Sequence, residues 1–253
     1  MARVKVLVLR AAGINCDRET VHAWRLAGAE PELIHVDRLI ESPSRLADAQ
    51  VLTVPGGFSY GDDIAAGRIL ASQLAHHLSD DIRAFLDAGK LLLGICNGFQ
   101  VLLKAGFLPG PRANRVTLAF NDSSRFEARW VRLQVCTGRC WFLPQGMVLR
   151  LPVAHAEGKV VVADDAALTD LRQGGHVALR YISQDGGPAV YPANPNGSVN
   201  DIAGLTDSTG QVLGLMPHPE RFVDPTHDPL WTRHRSTEPD GLAIFRSAVR
   251  RFL

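Results

Sequence analysis

The sequence predicts an α/β fold, an open and mostly parallel sheet with helices on both faces, extended by antiparallel strands. Three observations predict it. Over the first 105 residues, short apolar runs alternate with helix-period patterns, as parallel strands need a crossover to return to the same end. Two of those runs end at chemically pointed loops, Gly56-Gly57 and Cys96, and ligands of such sheets sit beyond the carboxyl ends of the strands. Beyond residue 121 the pattern changes to short β-like runs broken by Gly and Pro, which reads as antiparallel strands flanking the parallel sheet.

The elements follow in order. Residues 4–9 are apolar and β-branched and make a buried first strand. Asp17 is positioned to cap a helix reaching Ala27, where Gly28 stops it. Residues 33–36 and 51–54 are further strands, the latter closed by Pro55-Gly56-Gly57. One long helix is expected over residues 68–87, stopped near Gly89. A strand to Ile95 and a helix to Ala105 complete this half. Residues 130–135, 147–151 and 176–182 are strand candidates, Asn194-Pro195-Asn196-Gly197-Ser198 is a dense turn signal, and 212–216 returns as an apolar strand. The stretch 224–240 is rich in Pro, His and Arg and reads as an irregular loop. Leu242, Ile244, Phe245, Ala248, Val249 and Phe252 support a closing helix. No linker bounds the middle segment, so a single domain over 1–253 is expected.

Composition narrows the class. Apolar residues make up 46% and charged residues 21% of the chain, as in ordinary globular proteins. A net charge of +1 gives no electrostatic reason to expect nucleic acid or an anionic membrane as partner. No apolar run approaches the ~20 residues of a membrane span, and the N-terminus runs straight into a strand without a signal-peptide pattern. Four cysteines in 253 residues make no disulfide framework, and a cytoplasmic location is expected. Cys136 and Cys140 have no second Cys or His pair at zinc spacing, so no metal is expected.

The chain is organised around Gly94-Ile95-Cys96-Asn97-Gly98. A buried strand runs into a cysteine with a glycine two residues away on each side, and a helical pattern follows. This is a nucleophile elbow with Cys for Ser. The new helix directs its free N–H groups and positive dipole end at the sulfur, which favours thiolate. The same residues also describe a small buried cysteine closing a core strand. A thiol nucleophile needs a base and a group that orients it. His218, just past an apolar strand, is followed by Glu220, and Pro217 and Pro219 favour extended backbone. Residues i and i+2 of an extended segment share a side, so Glu220 can hold the His218 ring; a solvated loop His beside a surface acid is the other reading. The Asn97 N–H and a donor from Gly56-Gly57 are candidates for an oxyanion site. The order Cys, His, acid differs from the nucleophile, acid, His order of α/β-hydrolases. Cys16 lies near the same sheet edge without an evident base partner. His76-His77 reads as a solvated helix face, and His227, Arg233, His234 and Arg235 as a solvated loop.

Residues 94–100 together with Met216-Pro217-His218-Pro219-Glu220 resemble the triad (class I) glutamine amidotransferases. Pro55-Gly56-Gly57-Phe58-Ser59-Tyr60-Gly61-Asp62, Asn15-Cys16-Asp17-Arg18-Glu19-Thr20 and Asn194-Pro195-Asn196-Gly197-Ser198 are similar to the glutaminase components of phosphoribosylformylglycinamidine synthase, in purine biosynthesis. The likeness spans nearly the whole chain. His155-Ala156-Glu157-Gly158 has Ala156 where that group usually has Gly, and Ala11-Ala12-Gly13-Ile14 departs from its Pro-Gly-Thr pattern. The resemblance implies a flavodoxin-like class I amidotransferase fold. It implies Cys96 as nucleophile, His218 as acid and base, Glu220 as its orienter, and Gly57 and Asn97 as oxyanion donors. It implies that Gly56, Phe58 and Gln100 bind L-glutamine. It also implies no cofactor on this chain, with ATP and Mg on a separate synthetase subunit, and leaves room for a further small subunit. The absence of a Walker-type loop fits that division. Glutaminase chemistry for another acceptor, and a thiol sensor or regulatory subunit, remain open at this point.

Overall fold

The run Val6-Leu7-Val8-Leu9 is buried at every position, because its strand is paired on both edges and covered on both faces, so alternation gives way to a continuous apolar stretch. The computed structural model describes residues 3–110, 115–233 and 238–253. In chain order the parallel half comprises β1 (Lys5–Arg10), α1 (Asp17–Leu26), β2 (Glu30–His35), α2 (Val36–Glu41), α3 (Arg45–Asp48), β3 (Val51–Val54), α4 (Arg68–His77), α5 (Ser79–Asp87), β4 (Leu91–Ile95) and α6 (Asn97–Lys104). There follow β5 (Val116–Phe120), β6 (Glu127–Val135), β7 (Val148–His155), β8 (Glu157–Val162), α7 (Asp165–Gln173), β9 (Val177–Ile182), β10 (Ile202–Thr206), β11 (Val212–Leu215) and α8 (Asp240–Arg250).

Among the described residues the main sheet has the order β2-β1-β3-β4-β11-β10-β9-β6-β7. The first five strands are mutually parallel, and the last four join by antiparallel pairings. The expected α/β sheet with an antiparallel extension is therefore present. β5 and β8 form a second, two-stranded antiparallel sheet.

Register shows which helices cover which face. Thr53 pairs with Leu93 and Val54 with Gly94, so Thr53 and Gly94 point to opposite faces. Trp24 of α1 donates its indole N–H to the Thr53 hydroxyl at 3.1 Å and meets Phe245 of α8 edge-on at 4.9 Å. On the other face, α6 sits on Gly94 and Gly214, whose added Cβ atoms would strike Gly98 O and the Phe99 ring. Helices therefore lie on both faces, with the Trp24–Phe245 pair as one seam.

Several expectations change. The helix over 68–87 is two helices, because Leu78 takes φ −130°, ψ 5° and is itself fully buried. Burying Leu78 between the two segments outweighs the uninterrupted helical pattern. Asp17 is the first helical residue rather than its cap; Cys16 precedes it without a side-chain cap, and the Asp17 carboxylate pairs with Arg10 at 3.2 Å. The second strand starts at Glu30, three residues early, because pairing with β1 supports polar edge positions that periodicity does not register. α2, α3, α7 and β10 carry weak local signals and were not expected.

Candidate active site

The chain turns from β4 into α6 at Cys96, which takes φ 51°, ψ −106°. A non-glycine residue there costs on the order of 1–3 kcal/mol, and such strain persists only where packing enforces it. Two contacts enforce it. Cys96 donates its N–H to Leu215 O at 2.8 Å. Behind it, α6 lies so close to β3 that a Cβ on Gly98 would come within 1.9 Å of Val54 O. The sulfur emerges at the carboxyl end of β4, between β3 and β11, and Cys96 is 6% exposed.

His218 follows β11 and Met216-Pro217. Its N–H donates to Pro152 O of β7 at 2.8 Å, so the antiparallel extension anchors it. Its Nδ1 meets Glu220 Oε1 at 2.6 Å, with both side chains buried. The route differs from the expected one. His218 is extended, but Pro219–Arg221 forms a 3₁₀ turn, and the turn brings the carboxylate back to the ring. Burial opposes charge on His218, but Glu220 and then Cys96 outweigh it and hold the imidazolium well above the usual 6.5. Nε2 has no hydrogen-bond partner among the described residues.

A cavity of about 660 Å³ opens over these groups, lined among others by Gly57, Phe58, Cys96, Gln100, His155 and His218. Gly57 has φ 145°, and a Cβ there would lie 2.7 Å from Asn15 N. Among the described residues no hydrogen bond takes its N–H. Asn97 is the first residue of α6, where N–H groups lack intrahelical acceptors. The Asn97 side chain is buried and is not among the lining groups, although Asp62 and Gln100, which it meets, are. It accepts from Ser59 N at 3.1 Å and donates to Asp62 Oδ1 at 3.1 Å and Gln100 Oε1 at 2.9 Å. Gln100 lines the cavity with its amide already engaged on Glu157 O at 2.5 Å. Phe58 stands half exposed at the rim. Gly56 is not among the lining residues; it lies beside Cys96, where a Cβ would meet His218, Cys16 and Cys96.

Three neighbours make contacts that sequence reasoning does not show, although Cys16 is expected near this edge and His155 lies in a motif segment. Cys16 is buried and receives a hydrogen bond from Arg221 Nη2 at 3.1 Å, and Arg221 is held by Glu19 at 3.0 Å. The tertiary fold also brings Cys16 Sγ within 4.8 Å of a ring nitrogen of His218, and burial pushes the Cys16 thiol up from its ordinary value. His155 is the third. Asn121 spends its Nδ2 on Arg125 O and His155 O, so its Oδ1 accepts from His155 Nδ1 at 3.1 Å. Burial, with His218 nearby, pushes the His155 imidazole down to about 3. Of the other candidates, Cys140 is buried with its thiol pushed up to about 11 by desolvation. His76 and His77 are exposed, and the His227 ring accepts from Val223 N at 3.4 Å within its own loop. His234 and Arg235 lie outside the described residues.

These environments predict opposite titrations. Nitrogen NMR of the imidazoles is expected to show His155 neutral throughout the pH range 5–9 and His218 protonated well above 6.5; Glu220→Gln is expected to move His218 to lower pH. The sign for stability follows. The raised pKa of His218 adds stability that is complete below 6.5 and lost as pH rises through its folded value. The depressed pKa of His155 gives a contribution present above 6.5 and lost as pH falls toward 3. A His218 signal titrating at or below 6.5 in the wild type would contradict the buried ion-pair geometry.

The family model described as CobB/CobQ-like glutamine amidotransferase domain matches residues 3–252. The chain belongs to this glutamine amidotransferase family. Relatives extend over nearly its whole length. The phosphoribosylformylglycinamidine synthase subunit PurQ of Dehalococcoides mccartyi is 45% identical, covering 99% of this chain and 98% of the relative. That of Archaeoglobus fulgidus is 42% identical, covering 97% and 96%. The structure of PurLQS from Thermotoga maritima contains a chain of 32% identity with a TM-score of 0.75, covering 100% of both chains. A Thermotoga maritima glutamine amidotransferase of 15% identity, with a TM-score of 0.56 over 99% of this chain and 98% of its own, shares the fold. Among the described residues no helix of this amidotransferase is long and apolar enough to cross a membrane.

Proposed function

We infer that this chain is the glutamine amidotransferase subunit of phosphoribosylformylglycinamidine synthase, which hydrolyses L-glutamine and delivers ammonia to a synthetase partner in purine biosynthesis. Family membership and the near-full-length PurQ relatives support this reading. The observation that carries the chemistry is the buried His218–Glu220 pair beside a strained elbow cysteine. We propose Cys96, His218 and Glu220 as the catalytic residues. The Cys96 thiolate attacks the glutamine side-chain carbonyl carbon, and the N–H groups of Gly57 and Asn97 hold the resulting oxyanion. The His218 imidazolium gives its proton to the amide nitrogen, the C–N bond breaks, and ammonia leaves a γ-glutamyl thioester. Neutral His218 then takes a proton from water as it adds to the thioester. Glutamate departs, and the thiolate–imidazolium pair is restored. Glu220 keeps Nδ1–H donated away from the nucleophile, so Nε2 faces the reaction. Phe58 and Gln100 bound the glutamine pocket. Gln100 does so by bracing Glu157, while Gly56 keeps the wall behind Cys96 thin. The chain works as one domain and in the cytoplasm. ATP and Mg act on the synthetase subunit, and no cofactor is required on this one.

The test is intact mass with peptide mapping after exposure to a diazo-ketone analogue of glutamine, with the synthetase subunit present. One adduct on Cys96, blocked by excess glutamine, is the expected result. Labelling elsewhere, or no labelling in the complex, would overturn the assignment.

A further inference from the structure

The turn that carries Glu220 is joined to the loop that carries Gly57 by residues to which glutamine hydrolysis, as written above, gives no role. Arg221 closes that 3₁₀ turn, donating its N–H to His218 O at 3.3 Å. Its side chain borders the cavity and reaches the start of α1. There Nε donates to Glu19 Oε1 at 3.0 Å and Nη2 to Cys16 Sγ at 3.1 Å. Cys16 is 1% exposed and gives its own S–H to Asn15 Oδ1 at 3.2 Å, so a neutral thiol offers Arg221 its lone pairs. The Cys16 backbone is pinned on both sides. Its N–H donates to Gly56 O at 3.2 Å, and its carbonyl accepts from the Thr20 N–H at 3.0 Å and the Thr20 hydroxyl at 2.6 Å. Gly56 is the residue before Gly57. Contacts along this path are tight: a Cβ on Gly56 would lie 3.2 Å from Cys16 Sγ and 3.0 Å from His218 Cε1.

We propose that Arg221 and Cys16 form a strut that holds the His218–Glu220 pair in register with the Gly57 N–H, and that both are positioning residues for glutamine hydrolysis. Their effect on turnover rests on the proposed roles of Cys96, His218 and Gly57. The proton donor and the oxyanion donor come from different loops, one after β11 and one after β3, and both must bear on one tetrahedral intermediate. A misplacement of about 1 Å can cost about 100-fold in rate. Other contacts seat the turn from its far side: the His218 N–H on Pro152 O of β7, and Pro219 O against Gly241 of α8, where a Cβ would lie 2.0 Å away. Arg221 ties it to the β1–α1 side. Arginine suits this task because its planar fork serves two partners in fixed geometry, whereas a lysine ammonium is a point charge on a flexible stem. Removing the strut strands no buried charge. Cys16 is neutral, and Glu19, 37% exposed, returns to water. The loss therefore falls on geometry more than on folding.

The experiment measures glutamate release and ammonia-dependent amidine formation by the complex with the synthetase subunit, for wild type, Arg221→Ala, Arg221→Lys, Cys16→Ala, Cys16→Ser and the double alanine variant. Arg221→Ala is expected to lower kcat for glutamine by about 10–100-fold with KM close to wild type, while ammonia-dependent formation is retained. Arg221→Lys keeps the charge but is expected to recover little of the loss. Cys16→Ala is expected to lose kcat as well. Cys16→Ser, whose hydroxyl both donates to Asn15 and accepts from Arg221, is expected to regain most of it. The double variant should lose no more than the worse single one, because both act through one contact. A rise in KM at unchanged kcat would make Arg221 a substrate-binding residue and overturn the proposal. So would additive losses, full activity in Arg221→Lys, or no rescue by serine. If Arg221→Ala also loses the ammonia reaction, and with it the sign of an intact complex, the Cys16→Ala and Cys16→Ser pair decides. A wild type that releases no glutamate in the complex rejects the glutaminase reading and the strut together; an active wild type with fully active variants rejects the strut alone.

Discussion

Cys96→Ala lowers glutamine-dependent glutamate release by roughly four to six orders of magnitude, while amidine formation from added ammonia by the complex continues. The size follows from the way a nucleophile and its base act as a unit, as a hydrolytic triad loses about 10⁶-fold in rate when its nucleophile alone is removed. What survives is the contribution of binding and of the proposed Gly57 and Asn97 donors, which need no thiol. The retained ammonia reaction separates lost chemistry from lost folding, because it requires an intact complex but not the elbow sulfur. Alanine keeps the backbone position at φ 51° and removes only the sulfur from a 6% exposed site. A coupled glutamate assay and the ammonia-dependent assay, run side by side, check this. A loss of less than about tenfold would place the nucleophile elsewhere.

The second large effect is on folding. Gly→Ala inside a helix ordinarily stabilises by about 1 kcal/mol. At Gly98 the sign inverts. The added methyl would sit 1.9 Å from Val54 O, 2.7 Å from Val54 C and 3.2 Å from Pro55 O. Backbone cannot swing aside as a side chain would. α6 must therefore lift off β3, taking with it Phe99, which packs on Gly214 of β11, and the strained turn at Cys96. Overpacking alone costs about 1–3 kcal/mol where side chains can adjust; against fixed backbone the loss is expected to exceed about 4 kcal/mol. That is a large share of the 5–15 kcal/mol typical of a whole domain. Chemical denaturation should show a collapsed midpoint, or the variant should fail to accumulate in soluble form. An unchanged midpoint would mean that α6 is not seated on β3 as described.

The parallel half was legible because its signals are local. Residues 51–54 and 91–95 are uninterrupted apolar runs, which only a strand covered on both faces needs, and glycine brackets the cysteine because the crossing permits nothing larger. The elements that escaped were those whose stability comes from elsewhere. β10 is a strand because β9 and β11 pair with it on either side, and the break at Leu78 exists because that side chain has a buried slot to fill. Within the site, His218 and Glu220 are two residues apart and their pairing could be argued from spacing, yet a 3₁₀ turn rather than an extended strand joins them. Gln100 could be named from its motif, but not its commitment to Glu157, a residue 57 positions away.

The sequence by itself determined the sheet and the elbow and singled out the residues proposed as nucleophile, base and acid, because each is written in a few consecutive residues with a steric or chemical reason. Only the tertiary structure decided who else stands at the candidate site. Cys16 and Arg221 are 205 residues apart in the chain and meet at 3.1 Å. Parallel strands bring their carboxyl ends to one edge whatever their spacing in sequence. That gathering of distant loops places a second thiol beside His218, a proximity that spacing along the chain does not contain.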